Sequence, residues 1–318
     1  MNLRIIHDCD PGNDDALAIL VASGHSGLEL AAVTTGAGHL EAHRTARNAA
    51  ITLSYARPVP VSAGAVGPLV RERLVAGVLD QTSALDPERP DLPAVPLDPR
   101  HSVELMADTL KAANKTTIVC TGPFTNLAML LRAYPDLASR IERVVSLGGA
   151  WGLGNKTAAA EWNMLCDPEA AAVVFGSGVP IRLVPLDVTP ELGIDADLAG
   201  EVESMGGPMA GFAAELLHSL VLTFRPGLLG PTLMPLNDPV APLLAAEPAL
   251  ARWAPARVEV ELAGRHTYGR TVVDFACRAG MPANCEVAIG LDPRALRRAF
   301  LDALRRLASS SSNSETPS

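Results

Sequence analysis

Four aspartates fall within the stretch "IIHDCDPGNDDALAIL": Asp8, Asp10, Asp14 and Asp15. An apolar run precedes them and an apolar stretch of helical character follows. Like charges at contact distance repel by kcal/mol amounts in a partly dry site. Something must compensate, and a bound cation is the obvious candidate. A helix cap uses a single carboxylate, so capping does not account for a quartet. Carboxylates converging with backbone carbonyls make an all-oxygen site, which suits Ca2+ or Mg2+ rather than zinc.

The surrounding elements must gather these side chains. "LRIIHD" reads as a strand, and Pro11-Gly12 breaks it. "DDALAILVASG" reads as a helix stopped by Gly24. Asp8 and Asp10 are two apart and point the same way if the strand continues through them. Asp14 and Asp15 open the helix, where its dipole favours negative charge. Further along, "LELAAVTTGAG", "PVPVSAG", "TTIVCTG", "IERVVSLGGA" and "PIRLVPLDVT" read as strands. Helical patterns alternate with them: "EAHRTARNAAITLSYA", "SVELMADTLKAAN" with Ser102 as N-cap, "TNLAMLLRAY" with Asn126 as a possible cap, and "DPEAAAVVFGSG". Asp167 fits the N-cap of the last of these, with Pro168 at its first position. The alternation predicts an α/β fold: a single domain with a mostly parallel central sheet flanked by helices and a Rossmann-like core. In such sheets ligand sites form outside the carboxyl ends of the strands.

The chain has 318 residues, 48% of them hydrophobic, which is enough to bury a large core. Net charge is −9 with no basic stripe, so no nucleic-acid partner is expected. The five cysteines have no CxxC pairing and read as buried free thiols of a reducing compartment. An aspartate interrupts the N-terminus before a signal-peptide core could form. No run approaches the roughly 20 apolar residues of a membrane span. A cytoplasmic location without membrane partners is therefore expected. Residues 80–100 carry five prolines and read as a long surface loop with scope for function. The domain is read as 1–308, with "SSSSNSETPS" at 309–318 a disordered polar tail.

The pattern Asp-x-Asp-Pro-Gly-x-Asp-Asp resembles the hallmark of the inosine–uridine preferring nucleoside hydrolase family. "VCTGPFTNLAML", "GNKTAAAEWNMLCDPEAA", "LDVT", "NDPVAPLL" and "VEVELAGRHTYGRTVVDF" follow in the order in which similar segments occur in that family. The resemblance implies Ca2+-dependent hydrolysis of the N-glycosidic bond of ribonucleosides, giving ribose and free base. It places the metal ligands on Asp10, Asp15, the Thr121 carbonyl and Asp238. Asp10 would also be the general base toward a metal-bound water. Asp14 would bond a ribose hydroxyl, while Asn155, Glu161 and Asn163 would hold the rest of the sugar. Asp8 would support the site from behind. A homodimer or homotetramer is implied as well. Taken singly, several of these have plainer readings: Glu161 and Asn163 as turn residues, Asp238 before Pro239 as a helix start.

The chain departs from the family on the leaving-group side. His39 stands where many members have Asn, and either a hydrogen bond near the sugar or a filling role would suit it. Asn237 replaces the His that precedes the last aspartate in well-studied members; an amide hydrogen-bonds but is no general acid. No His-Gly motif occurs between Ala63 and His101. Trp162 replaces the usual Phe, and Trp151 follows the "LGGA" turn; each could pack internally or stack on a base. The expected consequence is a shifted or narrowed base preference. Two other readings compete. One is a nucleoside- or ribose-binding protein without turnover. The other is a Mg2+ phosphohydrolase of haloacid-dehalogenase type, disfavoured because Pro11 and Gly12 stand where that motif expects Thr or Val.

Overall fold

A computed structural model describes residues 2–74, 85, 89–226, 228 and 231–312. β1 (Leu3–Cys9), β2 (Leu28–Thr35), β3 (Val61–Ala63), β4 (Thr116–Cys120), β5 (Ile141–Leu147) and β6 (Ile181–Val184) are all parallel. α1 (Asn13–Gly24), α2 (Ala42–Ser54), α3 (Ser102–Lys111), α4 (Thr125–Ala133), α5 (Trp162–Cys166) and α6 (Pro168–Phe175) form the crossovers between them. The chain continues through β7 (Gly193–Ile194), α7 (Ala196–Glu203), α8 (Gly207–Thr223), β8 (Met234–Pro235) and α9 (Val240–Ala246). It closes with β9 (Ala251–Val260), β10 (Thr271–Asp274), β11 (Cys285–Leu291) and α10 (Pro293–Ser312).

Nine strands form one sheet in the order β10-β9-β11-β6-β5-β4-β1-β2-β3. β11 joins β6 in parallel, and among the described residues β9 alone runs against the rest of this sheet, pairing antiparallel with β11 on one side and with the edge strand β10 on the other. The order 3-2-1-4-5-6 is the doubly wound one, and its topological switch lies between β1 and β4. The crevice therefore opens where Cys9 and Cys120 end their strands. This agrees with the single α/β domain and mostly parallel sheet expected from the alternation.

Both faces of the sheet are covered, so Ile5 to Cys9 of β1 and all of β4 are buried on successive residues rather than on alternate ones. Ile6 and Ile118 face α3, α4 and α6. Ile5 and Val119 face the opposite side, toward Ala22 of α1 and Ala241 of α9. A larger cluster on that side joins α1, α8, α9 and α10 through residues such as Leu17, Leu216, Leu243 and Phe300. Each fully buried aliphatic side chain here contributes roughly 1.5–3 kcal/mol. This packing holds the strand ends and the first turn of α1 at fixed positions.

Three local expectations change. His101, not Ser102, caps α3; the Ser102 hydroxyl instead bonds the carbonyls of Thr35 and Ser62. Asn126 lies inside α4 and caps nothing. α10 runs through Ser309 to Ser312, so the polar stretch begins as helix, while residues 313–318 lie outside the described residues. Much of the proline-bearing loop, 80–84 and 86–88, also lies outside them. Asp167 does cap α6, accepting from Ala170 N, with Pro168 next. Cys9, Cys120, Cys166 and Cys285 are buried free thiols, and Cys277 is partly exposed. Among the described residues, no helix is long and apolar enough to cross a membrane.

Candidate active site

The site is built at the switch between β1 and β4. β1 ends at Cys9, and Asp10 follows at the rim. Pro11-Gly12 turns the chain into α1, whose first turn carries Asp14 and Asp15. From the opposite direction, β7 and β8 pair, and Leu236 N donates to Leu192 O at 2.8 Å. That bridge delivers Asn237 and Asp238 just ahead of α9. The side chain of Asp238 caps nothing, so the helix-start reading does not explain it.

Carboxylate oxygens of Asp14, Asp15 and Asp238 lie within 4.8 Å of one another. Burial first, then the charges of Asp10 and Asp14, push Asp15 well above the usual carboxylate range. Asp238 is raised likewise, by burial and then by Asp14, Asp15 and Asp10. Such crowding of buried acids is stable when a cation neutralises it. All donors are oxygens, and Thr121 adds a carbonyl whose second lone pair remains after Asn163 Nδ2 donates to it at 2.7 Å. The residues present thus fit a hard divalent cation.

Asp10 lies beside that trio, near enough for its charge to raise the pKa of all three. Its Oδ2 accepts from the His39 backbone N at 3.2 Å and pairs with His39 Nδ1 at 2.9 Å. Burial alone would lower the His39 pKa, but the bond to Asp10 and the charges of Asp10, Asp15 and Asp14 outweigh it and hold the pKa at about 9. A Cβ on Gly38 would run into the Asp10 carboxylate, and one on Gly122 would lie 2.8 Å from Oδ1. Both glycines therefore make room for this side chain. Beneath it, Asp8 accepts from Thr34 Oγ1 and Asn126 Nδ2, each at 2.9 Å. Burial raises its pKa to about 7 despite these bonds. Asn126 also bonds Thr35 O and accepts from Ala65 N. It ties β1, β2 and the chain after β3 to α4.

The far end is polar. Glu161 is the N-cap of α5, accepting from Asn163 N, Met164 N and Gly149 N. Asn155 Oδ1 accepts from Trp162 N at 2.9 Å. Asp10, Asp14, Asp15, His39, Thr121, Asn155, Glu161, Asn163, Asn237 and Asp238 all line one cavity of about 520 Å3. Every site residue proposed from the sequence is therefore brought together. Asn237 Oδ1 is buried there without a hydrogen-bond partner among the described residues, so a ligand atom has something to satisfy.

Sequence reasoning missed part of the wall. Leu220, Thr223, Phe224, Arg225 and Met234 line it from α8 and β8. Nothing in the spacing of those residues points to a site. Lys156 also lines it, its Nζ 4.6 Å over the ring of Trp162. Trp162 itself faces the cavity, whereas Trp151 packs edge-on against Phe275. His7 was missed as well; its Nε2 lies 3.0 Å from Thr121 Oγ1, and burial lowers its pKa to about 3.

Residues 5–298 match the family model described as inosine-uridine preferring nucleoside hydrolase. This chain belongs to that family. The hydrolase is 40% identical over 309 residues to the pyrimidine-specific ribonucleoside hydrolase RihA of Escherichia coli O17:K52:H18, covering 96% of this chain and 97% of the relative. Among solved structures it resembles a purine-preferring ribonucleoside hydrolase from Gardnerella vaginalis, with TM-score 0.88, 27% identity and coverage of 96% and 99%. An inosine-guanosine nucleoside hydrolase matches at TM-score 0.86 and 28% identity, over 96% and 99% of the two chains. The nucleoside hydrolase is thus an enzyme acting on small-molecule nucleosides, and the readings as a binding protein without turnover and as a phosphohydrolase fall away.

Proposed function

We propose that this enzyme hydrolyses ribonucleosides in a Ca2+-dependent reaction with Asp10 as general base. The observation that carries the reading is the carboxylate cluster of half-buried Asp14 with buried Asp15 and Asp238, in the same cavity as Asp10. Asp10, Asp15, Asp238 and the Thr121 carbonyl would hold the ion. When bound, the cation would supply a lowered pKa for a neighbouring water and a grip on the ribose diol.

The chain's own residues account for the rest. Both contacts of Asp10 with His39 go to Oδ2, which leaves Oδ1 to take the proton from the attacking water. His39 fixes the orientation of that carboxylate. Asp14 accepts from a ribose hydroxyl. Glu161, Asn155 and Asn163 line the polar end, which suits the remaining sugar oxygens. The negative charge of Asp14 and Glu161 favours an oxocarbenium-like sugar as the N-glycosidic bond breaks. The base leaves toward the apolar wall of Leu220, Phe224 and Met234. Asn237 offers it a hydrogen bond but no proton, so turnover depends on how good a leaving group the base is. Pyrimidine ribonucleosides lead the candidate substrates, because the relative at 40% identity is named pyrimidine-specific. A cytoplasmic homodimer or homotetramer belongs to the same proposal, and sedimentation measures the assembly.

A panel of uridine, cytidine, inosine, adenosine, guanosine and p-nitrophenyl riboside tests the reading, with ribose release as the signal. The nitrophenyl riboside is expected to be cleaved fastest, uridine or cytidine ahead of the purines. Equal turnover of inosine and uridine at a rate matching the nitrophenyl compound would contradict the leaving-group account.

A further inference from the structure

His7 is one of two buried polar residues of β1; the other, Asp8, supports the site, whereas nothing in the chemistry above uses His7. A buried polar side chain is costly unless hydrogen-bonded, and an aliphatic residue would fit an interior strand at lower cost. His7 is 0% exposed, and its Nδ1 has no partner among the described residues. Its Nε2 lies 3.0 Å from Thr121 Oγ1, and Thr121 Oγ1 donates to Asp15 Oδ1 at 2.6 Å. A hydroxyl has one proton to give. With Asp15 ionised, as it must be to hold a cation, Thr121 gives its proton to Asp15, and His7 is the donor at Nε2, with Nδ1 bare.

We infer that His7 is a positioning residue for the cation site, acting through the Thr121 hydroxyl on Asp15. The inference rests on the Ca2+ site proposed above. His7 sits opposite Val119 in the β1–β4 pairing, and Thr121 N donates to Asp8 O at 2.9 Å just beyond. The donor thus comes from the strand behind the site, and neither partner can drift without breaking the sheet. Thr121 is pinned on two sides: its hydroxyl by His7 and its carbonyl by Asn163. Both oxygens of this residue are thereby aimed before any ion arrives. Asp15 receives a preset orientation on the first turn of α1.

The test compares two amides at position 7 in the full-length protein. His7→Gln places an N–H where Nε2 now lies; His7→Asn places it one bond short of Thr121. Ca2+ alone is titrated calorimetrically into metal-free protein, with thermal midpoints in chelator as the control for folding. His7→Asn is expected to weaken Ca2+ binding about tenfold, with His7→Gln within about threefold of the parent. Thr121→Val should lose about as much, and adding His7→Asn to it should cost nothing further, because the chain is already broken. Unchanged Ca2+ affinity in His7→Asn, or losses that multiply in the double variant, would overturn the relay. Parent protein that takes up no Ca2+ would overturn the cation site and the relay together, whereas a binding parent with an indifferent His7→Asn overturns the relay alone. Nitrogen-15 imidazole spectra of the unmodified chain give a readout free of folding effects. The proton is expected on His7 Nε2, and a proton on Nδ1 would overturn the proposal.

Discussion

The floor of the cavity and the wall facing it are built differently. Asp10, Asp15, Thr121, Asn163 and Asp238 are each 5% exposed or less, and they sit where strands end and a helix begins. Thr223, Phe224 and Met234 across from them are half-buried, and Arg225 is exposed. Arg225 is held by its own neighbours, donating to the carbonyls of Leu222 and Phe224. The floor is cross-linked through the sheet: Asn126 joins four segments, and His39, Thr121 and Asn163 each bond an element distant in sequence. A part common to every ribonucleoside, the ribose, needs a fixed frame. The base varies, and the open wall is where variation is tolerated. The difference assigns chemistry to the floor and selectivity to the wall.

Substitutions can break this division. Asp10→Asn removes the proton acceptor while keeping the shape; steady-state ribose release should fall about 10³-fold or more, for good and poor leaving groups alike. A loss confined to poor leaving groups would move Asp10 to the leaving-group side. Asn126→Ala strips three hydrogen bonds from a buried hub and leaves Asp8 with one fewer donor. Urea unfolding should show a loss of about 3 kcal/mol. A loss under about 1 kcal/mol would show the floor to be less cross-linked than drawn.

Changes to the wall should act more selectively. Asn237→His restores a proton donor beside the last aspartate. It should raise turnover of inosine and uridine about 10–100-fold and leave p-nitrophenyl riboside nearly unchanged. Equal gains on both would mean that position 237 acts on the sugar or ion instead. Arg225→Ala is the mildest: KM for a given nucleoside should change about two- to fivefold, with kcat for the nitrophenyl riboside constant.

The aspartates of the floor were legible because Asp8 to Asp15 form one short, dense segment, whereas Thr121, Asn163 and Asp238 stood out only through the resemblance to the family's segments. The β–α alternation sufficed to predict that strand ends would gather the site. The wall was not legible, because it is assembled by tertiary packing. Met234 reaches the cavity only through the β7–β8 pairing, two short strands with no periodicity of their own. Phe224 and Arg225 reach it because α8 packs against α1. His7 was hidden for the opposite reason, lying inside a strand between the core residues Ile5 and Ile6 and the conspicuous Asp8. Ser102 and Asn126 looked like caps because capping is the commoner use of those residue types, whereas here their side chains bond carbonyls and a carboxylate across the sheet.

The central claim is that the carboxylate floor works as a cation site required for ribose release. The most direct measurement is uridine hydrolysis by protein stripped with chelator, followed as Ca2+ is returned in steps. The account predicts negligible ribose release in the stripped protein and saturable recovery with Ca2+, absent in Asp10→Asn. Full turnover in the stripped protein would contradict it.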